Sequence, residues 1–138
     1  MNAIHENLGT NTFDSRVDHR NKIELLRSRV CFLRGRDRLW MTMYLENGNS
    51  ISQMARMCGK SPSTVYRRIC KLVKLLLEGD YIKCIRYRDR FSKTEMVFAR
   101  EYFLEGISYR AIAKRHCSSP YKVRKMVTSI RGALEDNE

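Results

Sequence analysis

A chain of 138 residues suits one compact domain or two very small ones. With 43% of residues apolar, disorder from end to end is excluded. No apolar run is long enough to span a bilayer, and the opening residues show no leader-like apolar stretch. The formal charge of +12 favours a polyanionic partner, because each neutralised phosphate releases a condensed counterion; an anionic membrane surface is the competing partner.

The first thirty residues are nearly balanced in charge. Residues 31–80 carry nine Lys/Arg against four Asp/Glu, and residues 81–138 carry thirteen against seven. Residues 1–17 are expected to be flexible. Ile23, Leu26, Val30 and Leu33 then fall at helical spacing and predict an N-terminal helix packed on the next helices or on a partner. Leu39, Trp40, Met43 and Tyr44 make a second stripe, broken at Asn47-Gly48-Asn49. Ser50 can cap a short helix over Ile51 to Met57. Gly59 suits a corner that needs positive φ. Ser61 followed by Pro62 opens a longer helix through Val65, Ile69, Leu72 and Leu76, stopping at Gly79.

The stretch YIKCIRYRDRF from Tyr81 is expected to lie in a basic linker over residues 80–91. It has two readings of equal weight, a solvated connection and an extra run of phosphate contacts. Ser92 with Glu95 then forms a capping box for a helix to about Leu104. Gly106 ends it, Ser108 caps a helix over Tyr109 to Arg115, and Ser119-Pro120 opens a last helix through Val123, Val127, Ile130 and Leu134.

This order repeats. An offset of 58 residues, from Ala55 to Ala113, needs no gap and also pairs Tyr44 with Tyr102, Gly48 with Gly106 and Ser50 with Ser108. Ser61 falls on Ser119, Pro62 on Pro120, Val65 on Val123 and Arg67 on Lys125. The expected fold class is therefore all-α: an N-terminal helix and two tandem three-helix helix-turn-helix units, over residues 18–79 and 92–135.

A helix-turn-helix lays one helix across the DNA backbone while the next enters the major groove. Close crossing needs a small residue at the contact, here Ala55 and Ala113. The face left free on the first long helix carries Ser63, Tyr66, Arg67, Cys70 and Lys71; the second presents Tyr121, Lys122, Arg124, Lys125 and Thr128. Arginine grips guanine with two hydrogen bonds, and hydroxyl-bearing side chains reach phosphates or base edges. Arg56, Lys60, Lys114 and Arg115 precede these helices where phosphates would pass. Ser61 and Ser119 mark free amides that bind anions. Tyr121 suits phosphate contact, with packing as the alternative, and Trp40 and Phe98 are expected in the core.

At these residues both copies resemble region 4 of bacterial sigma factors, the helix-turn-helix that reads the promoter −35 element. The segment YLENGNSISQMARMCGKSPSTVYRRICKLVKLL carries the resemblance, from about Leu33 to Leu76; the second copy carries it from about Phe91 to Leu134. Cys117 stands where that pattern has its corner glycine, and no segment resembles sigma region 2. The resemblance implies Ser63, Tyr66 and Arg67 in the groove, with Arg56 and Lys60 on phosphates. It also implies duplex DNA and RNA polymerase as partners.

The expected function is sequence-specific binding of double-stranded DNA by a transcriptional regulator, with a polymerase-binding adaptor in which one unit holds protein as the alternative. One chain would suffice for two half-sites, and a dimer stays open. A cytoplasmic, nucleoid-associated protein without membrane contact is expected. No paired carboxylates, phosphate-binding glycine loop or Cys/His constellation suggests an enzyme, a metal or a cofactor. Five cysteines without a Cys-x-x-Cys are expected as reduced, buried thiols acting as small apolar residues.

Overall fold

The computed structural model of the protein describes residues 13–136. Of the segment expected to be flexible, residues 1–12 lie outside the described residues, and the remainder opens the first helix. Among the described residues every regular element is helical. None of these helices is long and apolar enough to cross a membrane. The chain divides into two compact units, Met1–Leu77 and Glu78–Glu138.

The first unit holds α1 (Phe13–Arg29), a 3-10 turn (Val30–Phe32), α2 (Gly35–Leu45), α3 (Ile51–Cys58) and α4 (Pro62–Glu78), which ends at the unit boundary. Each begins or ends for a local reason. Ser50 accepts the Gln53 amide at 3.1 Å while the Gln53 side chain accepts from the Ser50 amide at 2.9 Å, a closed capping box that sequence showed only as a cap. Ser61 accepts the Thr64 amide at 3.3 Å at the head of α4. Most of the stripes foreseen at helical spacing are buried: Leu26, Trp40, Met54, Val65, Ile69, Leu72 and Leu76 are all at most 1% exposed. Leu39 is a correction at 55% exposed, because the buried arc of α2 is shifted to Trp40, Met41, Met43, Tyr44 and Leu45, and Ile23 is only half-buried. Burying a side chain of this size stabilises the fold by about 1.5–3 kcal/mol, before the entropy of ordering it is subtracted.

The second unit holds α5 (Asp80–Arg86), a 3-10 turn (Arg88–Arg90), α6 (Lys93–Ala99) prolonged by a π turn (Arg100–Leu104), α7 (Tyr109–Arg115) and α8 (Pro120–Glu135). Its caps are those foreseen: Ser92 with Glu95, Ser108 on the Ala111 amide and Ser119 on the Lys122 amide. Phe98, Ile112, Ala113, Val123 and Val127 form one buried cluster.

The expected linker over residues 80–91 is instead the folded start of this unit. Tyr81, Ile82 and Cys84 of α5 are buried, while its cations lie half-buried or exposed. A helix this short shows barely two turns of periodicity, and its buried Cys84 carries little hydropathic signal.

Counted from this helix, the repeat is longer than it looked. At the same 58-residue offset, α5 falls on the last turns of α1, and the two 3-10 turns coincide. Leu26 and its counterpart Cys84 are both fully buried. The turn bonds match as well: Leu33 to Val30 at 3.0 Å and Phe91 to Arg88 at 3.1 Å, then Asn49 to Met43 at 3.1 Å and Ile107 to Glu101 at 2.9 Å, each from amide to carbonyl. Each unit thus contains its own opening helix.

The corners between α3 and α4 and between α7 and α8 close alike. Lys60 donates to the Ala55 carbonyl at 3.0 Å, and Ser118 to the Ala113 carbonyl at 2.8 Å. Both corners turn on a left-handed residue, Gly59 at φ +66° and Cys117 at φ +52°. Glycine adopts this conformation without strain, whereas a residue with a Cβ is held there at about 1 kcal/mol or more. Cys117→Gly is therefore expected to raise the urea midpoint, by about 1 kcal/mol in stability. Gly59→Ala should lower it by a similar amount through backbone strain alone, since an added Cβ at Gly59 would meet no heavy atom within 4 Å.

The cysteines depart from expectation. Cys84 is the buried one, its thiol pushed up to about 12, chiefly by burial and further by Asp80 and Glu95. Cys58 and Cys70 are half-buried, and Cys31 and Cys117 are exposed. Native-state alkylation at neutral pH should therefore label Cys31 and Cys117 first and spare Cys84 until the chain unfolds, as peptide mapping would show.

Candidate nucleic-acid interface

The outer faces of α4 and α8 carry the foreseen side chains. On α4, Ser63, Arg67 and Lys71 are exposed, whereas Tyr66 and Cys70 are half-buried. The Ser63 and Thr64 hydroxyls gather on Ser61 Oγ at 3.3 and 2.7 Å, fixing the first turn. Arg56 and Lys60 stand exposed on α3 and the corner. On α8, Lys122, Arg124, Lys125 and Thr128 are exposed, and Tyr121 is 71% exposed, which removes a packing role for it. Lys114 is exposed on α7; Arg115 is also exposed, but its guanidinium lies 3.8 Å from the Glu101 carboxylate. Behind these faces sit the small residues that bring the helices together, Ala55 and Ala113, both 2% exposed.

Arg68, next to Arg67, does a different job. Its Nε and Nη2 donate to the two Asp37 oxygens at 2.9 and 2.6 Å, a bidentate pair that ties the first turn of α2 to the second turn of α4. That hydrogen bond, with the Asp37 charge behind it and burial opposing, raises the Arg68 pKa further. The basic run at Tyr66–Arg68 is thus split between an exposed side chain, Arg67, and a strut, Arg68, a division that sequence alone did not make.

At the positions of Asp37 and Arg68 the second unit has Glu95 and Met126, so the ion pair is missing. A shallow groove of about 480 Å³ opens there, lined by Ser92, Glu95, Lys122, Lys125, Met126 and Ser129. The first turn of α6 therefore lies beside the cationic face of α8, as that of α2 lies beside α4.

Two further features went unforeseen. Glu101, only 6% exposed, stands where the first unit has Met43. His116 Nε2 lies 3.0 and 3.1 Å from its two oxygens, and the imidazole ring sits 4.9 Å from Phe98. The signal available was the repeat itself, which sets a carboxylate against a buried methionine. The other feature is a partly exposed aromatic patch. Tyr102 and Tyr109 stack at 4.7 Å, and the Arg131 guanidinium lies 5.9 Å from Tyr102 and 5.4 Å from Phe103. The hydrogen bond between the two tyrosines lowers the Tyr102 pKa, helped by Arg131, and raises that of Tyr109. The corresponding residues of the first unit, Tyr44, Leu45, Ile51 and Val73, are buried.

No family model, no curated protein and no solved structure matches the chain.

Proposed function

We propose that the chain binds double-stranded DNA in a sequence-specific way through two helix-turn-helix units and acts as a transcriptional regulator on the bacterial nucleoid. One observation carries the reading. The same helix, left-handed corner and second helix occur twice, each time over a buried alanine, and each time the second helix turns an exposed cationic face outward. A protruding helix with arginine, lysine and hydroxyl side chains on its first turns suits the width and donor–acceptor pattern of the major groove. The neighbouring cations suit the flanking phosphates.

Two reading helices on one chain imply a site of two short elements. Selection of bound duplexes from a random pool tests this. Enrichment of one bipartite site is the expected result, and no enrichment at all would end the reading.

A second reading keeps one unit on DNA and gives the other to a protein such as RNA polymerase. What favours it is the partly exposed patch of Tyr102, Phe103, Tyr109 and Arg131, whose counterparts in the first unit are closed. Aromatic and arginine side chains are the ones over-represented in protein interfaces. Enrichment of a single short element, with substitutions in the second unit leaving DNA binding intact, would select this version.

A further inference from the structure

We infer that each unit contacts the DNA backbone along a second line, the basic joint that leads into and opens its second helix: Arg34, Arg36 and Arg38 in the first unit, and Arg88, Arg90 and Lys93 in the second. The inference rests on the proposed DNA binding and adds to it a set of phosphate contacts outside the reading helices.

Geometry brings the joints to the right place. In the first unit, Asp37 stands between Arg36 and Arg38, and its carboxylate is held by Arg68 of α4 at 2.6 Å. The row of α4 that carries Arg68 borders the exposed row of Thr64, Arg67 and Lys71, since residues three and four apart share a helix face. The first turn of α2 therefore runs along the edge of the reading face. In the second unit the same adjacency is seen without an ion pair, because the groove lined by Ser92 and Glu95 on one side has Lys122, Lys125 and Ser129 on the other.

Charge completes the case. All six cations are exposed. The Asp37 carboxylate is taken up by Arg68, so it does not cancel the three arginines around it. In the second joint Asp89 stands exposed among three cations and leaves the run positive. Arg36 also lies over the Trp40 ring at 4.8 Å, and Arg90 over Tyr87 at 5.3 Å, contacts that restrain each guanidinium. Both joints carry the cations at different positions of the repeat, the first at Arg34–Arg38 and the second at Arg88–Lys93.

Phosphate contacts and base contacts leave different signatures. A phosphate contact changes the dependence of affinity on salt, by about 0.9 in the slope of log K against log salt, and is blind to sequence. The test uses the full chain and a 30-base-pair duplex of mixed sequence, titrated over a range of potassium chloride. Substitution of Arg34, Arg36 and Arg38 together by alanine should flatten the slope by about 2–3, and substitution of Arg88, Arg90 and Lys93 should do the same. The ranking of sequences in the random-pool selection should not change. Arg38→Ala alone, expected to flatten the slope by about 1, serves if a triple variant is poorly folded by circular dichroism.

A slope equal to that of the unsubstituted chain would overturn the inference, and so would an altered sequence preference. In either case the DNA-binding reading would stand, because the duplex is still bound. Failure of the unsubstituted chain to bind any duplex would remove that reading and this inference with it.

Discussion

Alanine at Arg67 is expected to weaken binding to the selected duplex site by about 1–3 kcal/mol, roughly 5- to 150-fold in Kd, and to relax the sequence requirement in one element of that site only. Arg124→Ala should do the same to the other element. Both arginines are exposed on the outer faces of the long helices, α4 and α8. A guanidinium there can present two donors to one base edge, which a lysine cannot reproduce. Binding measured against a panel of duplexes, each altered in a single element, checks the pattern. Equal loss on every sequence would move these arginines to the phosphates. Arg68→Ala is the control within the same helix. Removing it leaves the 17%-exposed Asp37 carboxylate without its bidentate partner, so the expected change is about 1 kcal/mol of stability with the specificity unaltered.

The largest effect on stability is expected at Trp40. This side chain is 1% exposed and heads the largest of the fully buried residues. Trp40→Ala should cost about 3–5 kcal/mol, because the fold loses both the transfer free energy of the ring and the contacts around the void. For a unit of this size that is a large share of total stability. Trp40→Phe should cost far less, about 1–2 kcal/mol, since Phe98 already fills the equivalent place in the second unit at 5% exposure. Urea unfolding followed by circular dichroism measures both, as fluorescence is lost with the chain's one tryptophan. A loss below about 1 kcal/mol for the alanine variant would mean that Trp40 does not hold the core together.

How much of this was legible beforehand depended on whether a feature repeats locally. Caps and corners did, because a serine three residues before a free amide, or a glycine at a break, acts on its immediate neighbours; Ser92, Ser108, Ser119 and Gly59 all lie where expected. The outward faces followed from helical spacing, once Val65 and Ile69 were set inside. What escaped were long-range pairings. Nothing local joins Asp37 to Arg68, thirty-one residues away, or Glu101 to His116, fifteen away. The linker failed for another reason. Its cations were counted, while Tyr81, Ile82 and Cys84, the residues that bury α5, formed too short a run to display a period.

The pairing of Glu101 with His116 has a consequence for how a duplicated chain assembles. Segments so alike could in principle dock across copies, α6 beneath α3 in place of α7, and inter-domain misassembly is a familiar hazard of repeats. In that mismatch Glu101 would face Cys58, which occupies the place of His116 in the other copy. A sequestered carboxylate without its imidazole costs several kcal/mol, whereas Met43 makes no such demand on its own neighbour. One buried acid would thus disfavour the mispaired arrangement and favour α6 docking with its own α7.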